Sequence, residues 1–205
     1  MKTTIAALVL LLYGCGGSGG GGSSPAVVPE VQTVVPIQTV AFIGDSITAA
    51  WNVGDCIKNA FNAGVPGNTT LKMSERFQSD VIGRHPVAVV IMGGTNDMAG
   101  GAFTDYGTDK VRDMALEARK NAITPIIATI PPMSDVPTTW GWGPNIVPEW
   151  NARIKAMAAT NSFKVVDYYP LFLKDGEQNM SLYDNPTHPN KAGDDLMCEA
   201  VRKVL

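Results

Sequence analysis

Four short blocks of this 205-residue chain carry side chains suited to nucleophilic chemistry. The first lies in "AFIGDSITAAW" at residues 41 to 51, an apolar run broken at Gly44-Asp45-Ser46, so that a strand delivers the Ser46 hydroxyl at its carboxyl end. The others are "GVPGNT" at 64 to 69, "GGTND" at 93 to 97 and "DNPTHPN" at 184 to 190. Each alone reads as a turn, since Gly, Pro and Asn punctuate chains wherever they cluster. Together they supply more. A serine is a weak nucleophile at its own pKa and needs an adjacent imidazole to remove its proton. The chain holds two histidines, His85 and His188. His85 precedes Pro86 at a helix-to-strand junction, the sheet edge opposite the serine, which leaves His188. The oxyanion that forms on an attacked carbonyl needs donors fixed beforehand. Gly67 lets backbone approach closely, and Asn96 offers a side-chain amide on a glycine-loosened loop.

These blocks need a scaffold that gathers them on one edge. Five apolar runs are expected to be strands: "TVAFIG" (39 to 44), "KNAFNAG" (58 to 64), "VAVVIMG" (87 to 93), "TPIIATI" (124 to 130) and "FKVVDYY" (163 to 169). Several lack strict alternation, which suits parallel strands buried on both faces. Helical spacing of apolar residues falls at 69 to 84, at 108 to 122, from Pro148 through Ala158 and from about Asn190 to the end. Strands alternating with helices predict an α/β domain, a parallel sheet covered by helices on both faces, spanning 39 to 205. The blocks then fall beyond the carboxyl ends of strands, where such sheets place ligands.

With "GDS", "GTND" and "HPN" in this order, the segment from about 39 to 205 resembles the SGNH subgroup of the GDSL hydrolases. The resemblance implies a three-layer α/β/α fold with a five-stranded, flavodoxin-like parallel sheet. It also implies serine esterase activity with no metal and no organic cofactor. Ser46 would be the nucleophile and His188 the general base. The oxyanion hole would be the backbone N–H groups of Ser46 and Gly67 with the amide of Asn96. The substrate would be a carboxylic ester: a short-chain acyl ester, a lysophospholipid or an acetylated sugar. The same chemistry serves acyl transfer to an alcohol, and a surface binding protein that has lost turnover is the reading from a different class.

Two departures stand out. The family carries its aspartate three residues before the histidine. Here that position is Asn185, and the acid, Asp184, lies one residue earlier. Asp184 is the expected third member of the triad, because a negative partner stabilises the imidazolium, with Asn185 as the alternative. The span from Ser46 to Gly67 is also short, room for a brief helix broken by Gly54. The segment 131 to 150 would partly cover the groove, where Trp140, Trp142 and Trp150, with Trp51 near the nucleophile, either line a substrate pocket or pack the loop onto the domain.

At the amino end, Lys2 precedes the apolar stretch "IAALVLLLYG", too short to span a bilayer and suited to an export signal. "LYGC" resembles the lipobox of bacterial lipoproteins, making Cys15 the lipidated residue and the membrane a partner; a cleaved secretory signal is the alternative. Residues 16 to 38 follow as a glycine-serine tether and an extended Val/Pro lead-in. Export to the periplasm or cell exterior permits a Cys56–Cys198 disulfide, though two buried thiols fit as well. A net charge of −3 and no basic cluster exclude nucleic acid as a partner.

Overall fold

Val40–Gly44 (β1) is apolar at every position and buried at every position, as a strand covered on both faces must be. Phe61–Gly64 (β2), Ala88–Ile91 (β3), Thr124–Ala128 (β4) and Lys164–Val166 (β5) join it in one parallel sheet of order β2-β1-β3-β4-β5. Ile43 pairs with Ala63 on one side and Ile91 on the other. The chain therefore reverses its direction of travel across the sheet at β1 and β3, and the crevice beyond their carboxyl ends is the expected ligand position. The computed structural model describes residues 39–99, 105–134 and 146–205. The expected lipidation residue Cys15, the tether 16–38, Trp140 and Trp142 lie outside the described residues.

The crossovers are helical: Ser46–Ala50 (α1), Val53–Cys56 (α2), Thr70–Asp80 (α3), Thr95–Ala99 (α4), Asp105–Lys120 (α5), Ile146–Thr160 (α6) and Lys191–Arg202 (α7). In the layer on one face, α3 packs against α5 and α5 against α6; α2 meets α7 in the other. This is the three-layer α/β/α arrangement expected from the sequence. Two helices start on blocks that carry the candidate chemistry. Thr69 caps α3 by accepting from Lys72 N–H, and Asn190 caps α7 by accepting from Ala192 and Gly193 N–H.

Several boundaries differ from those read in the sequence. The helix expected from Pro148 begins at Ile146, which still leaves Pro148 in the first turn, where its missing N–H costs nothing. The helix after Ser46 breaks at Trp51-Asn52, and Gly54 lies inside α2. Asn62 on β2 explains the break: its side-chain amide donates to the carbonyls of Thr48 (2.6 Å) and Trp51 (2.8 Å), satisfying groups that a continuing helix would have used. Cys56 and Cys198 form a disulfide, joining α2 to α7.

Candidate active site

Ser46 is the first residue of α1, so its N–H has no acceptor within the helix. Asp45 caps that helix, its Oδ1 accepting from Ile47 N–H at 3.0 Å. The turn fits because Gly44 has no side chain: a Cβ there would collide with the Thr48 side chain and the Met92 carbonyl. The serine hydroxyl is thereby fixed at the carboxyl edge of β1. Its Oγ lies 2.9 Å from Nε2 of His188, across 142 residues of chain. That is the distance at which an imidazole takes a hydroxyl proton.

His188 is oriented by Asn185, whose Oδ1 lies 3.0 Å from Nδ1. Asp184, the expected third member, does not make this contact. Its backbone N–H donates to the His188 carbonyl at 2.9 Å, closing the turn, and its carboxylate makes no hydrogen bond to the ring. The reason is register: Asn185 occupies the position three residues before the histidine, and the tight turn leaves no bulge to bring the preceding side chain forward. The same Oδ1 accepts from the N–H groups of Thr187 (3.1 Å) and His188 (3.0 Å). Two donors identify that atom as the oxygen, so the ring nitrogen facing it carries the hydrogen and Nε2 is left to accept from Ser46.

Gly67 adopts φ +75°, a left-handed conformation that glycine enters freely, with open space where a Cβ would stand. Its N–H has no acceptor among the described residues. Asn96, in the first turn of α4, donates one amide hydrogen to the Asn68 carbonyl at 2.9 Å and retains a second. Asp97 locks this loop to its neighbour, its carboxylate accepting from the Thr70 N–H (2.9 Å) and hydroxyl (2.6 Å). The donors predicted at 46, 67 and 96 thus sit on turns that the fold fixes independently of any substrate.

Beneath the serine, the Asp45 carboxyl is raised above the ordinary carboxylate range. Burial is the largest cause, and the Ile47 N–H, Thr95 and the charge on His188 act in the opposite direction. Among the described residues no three His, Cys, Asp or Glu side chains converge as a metal would require. A cavity of about 380 Å³ beside Ile123, Pro125 and Phe163 opens at the start of β4, the edge away from Ser46.

Both tryptophans within the described residues are buried in packing contacts. Trp51 is 4% exposed and meets Phe42 edge-on at 5.1 Å, a core contact. Trp150 is wholly buried against Gly94 and donates from Nε1 to the Gly93 carbonyl at 3.1 Å, supporting the loop that carries Asn96. Arg76 lies outside all four blocks, yet it hydrogen-bonds the carbonyls at the ends of both β1 and β2.

The chain matches the GDSL-like Lipase/Acylhydrolase family over residues 42–196. Its structure is similar to a GDSL-like lipase of Bacteroides thetaiotaomicron, at 29% identity over 81% of this chain and 86% of that one, with a TM-score of 0.72. A lipase/acylhydrolase of Enterococcus faecalis shares the fold at 22% identity, 82% and 94% coverage and a TM-score of 0.70. So does an acetylxylan esterase of Geobacillus stearothermophilus, at 20% identity, 81% and 93% coverage and a TM-score of 0.67. No curated protein sequence matches the chain.

Proposed function

From the premise that this chain belongs to the GDSL-like Lipase/Acylhydrolase family and is a carboxylic ester hydrolase, we propose that it works through an acyl-enzyme on Ser46. The observation that carries this reading is the 2.9 Å contact between Ser46 Oγ and His188 Nε2. His188 takes the hydroxyl proton as Oγ attacks the ester carbonyl. The oxyanion is received by the N–H groups of Ser46 and Gly67 and by the free amide hydrogen of Asn96. His188 then protonates the departing alcohol, and water, deprotonated by the same nitrogen, releases the acid. The substrates proposed are short-chain acyl esters, lysophospholipids and acetylated sugars. Two measurements test the reading. A fluorophosphonate probe should label the wild type and not Ser46→Ala, and Ser46→Ala should lose p-nitrophenyl acetate hydrolysis. Retention of full activity by Ser46→Ala would refute it. A series of p-nitrophenyl esters of rising chain length, beside an acetylated xylan and a lysophospholipid, ranks the substrate classes.

We propose further that the protein is exported and held on a membrane by lipid at Cys15. The Cys56–Cys198 disulfide supports export, since such bonds persist in oxidising compartments. Cells fed an alkyne-tagged palmitate should label the wild type and not Cys15→Ser. An unlabelled wild type released in soluble form would overturn the anchor.

A further inference from the structure

Arg76 stands on α3 with its side chain 17% exposed, outside every block that the sequence brings to notice. Its guanidinium makes four hydrogen bonds within one small region. Nη2 donates to the Gly44 carbonyl (3.0 Å), two residues before the nucleophile. Nη1 donates to the Ala63 carbonyl (2.6 Å) at the end of β2 and to Asp80 Oδ2 (2.8 Å) one turn along α3. Nε donates to Asn68 Oδ1 (2.8 Å). Asn68 is buried, and its carbonyl is the acceptor that holds Asn96 Nδ2 at 2.9 Å. One side chain therefore touches the serine block and the Gly67 block directly, and reaches the Asn96 block through a single intervening residue.

The chemistry of these bonds suits arginine alone. The acceptors lie in different directions around a planar group, which a five-donor fork satisfies together and a lysine ammonium on a flexible stem does not. Asp80 balances the charge, so the cation is held without an unpaired partner. A bond that fixes Asn68 fixes the carbonyl against which Asn96 is aimed, and the second amide hydrogen of Asn96 then points to one place.

We propose that Arg76 is a positioning residue for ester hydrolysis, which, through Asn68, aims the Asn96 amide at the oxyanion. This inference rests on the reading above, in which Ser46 attacks and Asn96 donates. Oxyanion contacts act in the transition state and little in the ground state, so their misplacement lowers kcat and spares KM.

The test is a double-mutant cycle on full-length protein with p-nitrophenyl acetate. Arg76→Lys should lower kcat by about tenfold or more, as small displacements of catalytic donors do, with KM within about twofold. In an Asn96→Ala background the same substitution should change kcat by no more than about twofold, because the donor it aims is gone. An equal loss in both backgrounds, or a loss confined to KM, would overturn the proposal. Asn68→Ala, carried through the same cycle, removes the Nε acceptor and decides the matter if Arg76→Lys fails to fold: its kcat loss should also vanish with Asn96→Ala, and additivity overturns the proposal. Ser46→Ala and Asn96→Ala measured alone separate the two layers. If neither impairs hydrolysis, the mechanism fails; if both do and the cycle is additive, only the role of Arg76 fails.

Discussion

The disulfide between Cys56 and Cys198, with Cα atoms 5.4 Å apart, fastens the helix beyond Ser46 to the helix beyond His188. Ser46 and His188 come from opposite ends of the domain, and this bond ties their two segments together far more closely than the 142 residues of chain between them. The bond closes a loop of 142 residues, for which the chain-entropy model gives about 5 kcal/mol of stabilisation. Cys56→Ser with Cys198→Ser should therefore lower Tm by about 10 °C or more, and dithiothreitol should do the same to the wild type. A thermal melt insensitive to both would show that the thiols are not bonded.

A second expectation concerns the charge that the triad lacks. Asn185 fixes the tautomer of His188, because its Oδ1 is pinned by two backbone amides, and so this site escapes the misoriented amide that disables an Asp-to-Asn protease triad by about 10⁴-fold. What an amide cannot do is stabilise the imidazolium. Among the described residues the buried Asp45 carboxyl acts on the ring only through space, without a bond to it. Asn185→Asp places a negative charge against Nδ1, so the ring holds its proton to higher pH, and the acid limb of kcat/KM should move up by about one unit. Above that limb the rate should rise. Asn185→Ala should lose at least about tenfold in kcat, and an unmoved acid limb in Asn185→Asp would argue against the contact.

How far the site was legible follows from what each residue's signal depends on. Ser46, Gly67, Asn96 and His188 announce themselves because each sits in a turn whose composition is local, and the structure gathers them on the sheet edge that the strand order demands. Charge favours Asp184 over its alternative Asn185 in the sequence, whereas one-residue register in the turn puts the Asn185 oxygen against the ring. Arg76 and Asn62 were invisible for a different reason. Each acts by capping backbone carbonyls of other elements, and a polar residue on a helix or an edge strand carries no local mark of such a partner. The hairpin of Leu173–Lys174 with Glu177–Gln178 did carry one: its Asp175-Gly176 turn, with positive φ at both residues, is an unused Asp-Gly signal. Trp51 shows the limit of proximity in sequence, since five residues past the nucleophile it already lies in the core.

The oxyanion hole gives a sharper kinetic expectation. Asn96 commits one amide hydrogen to the Asn68 carbonyl, and in the proposed mechanism the other serves the oxyanion. Asn96→Ala should reduce kcat by about 10²- to 10³-fold with little change in KM. Asn96→Asp should be no better, since it removes the donor and sets a negative charge beside the developing oxyanion. A mild effect in both would move the donor elsewhere.

Stability should depend on pH through Asp194, in the first turn of α7. Its carboxyl is pushed up to about 6 from 3.8, chiefly by burial and next by the neighbouring charge of Asp195, with Lys191 opposing. A folded-state value above the unfolded one means that the folded protein binds the proton more tightly between those limits. Stability is accordingly lost as pH rises from about 4 to 6, and above 6 the native state carries a half-buried, repelled carboxylate. Asparagine keeps the size and removes the ionisation. Asp194→Asn should then raise Tm by about 3 °C at pH 7.5, and the difference should shrink to nothing as pH falls below 3.8, where the carboxyl is protonated in folded and unfolded chains alike. Asp195→Asn, which removes the repulsion while leaving the burial, should recover a smaller part of the gain, offset by the lost ion pair with Lys191. Melts recorded from pH 4 to 8 check the sign: a gain for Asp194→Asn that grew toward acid would mean that the carboxylate is stabilised by the helix N-terminus instead of opposed by its surroundings.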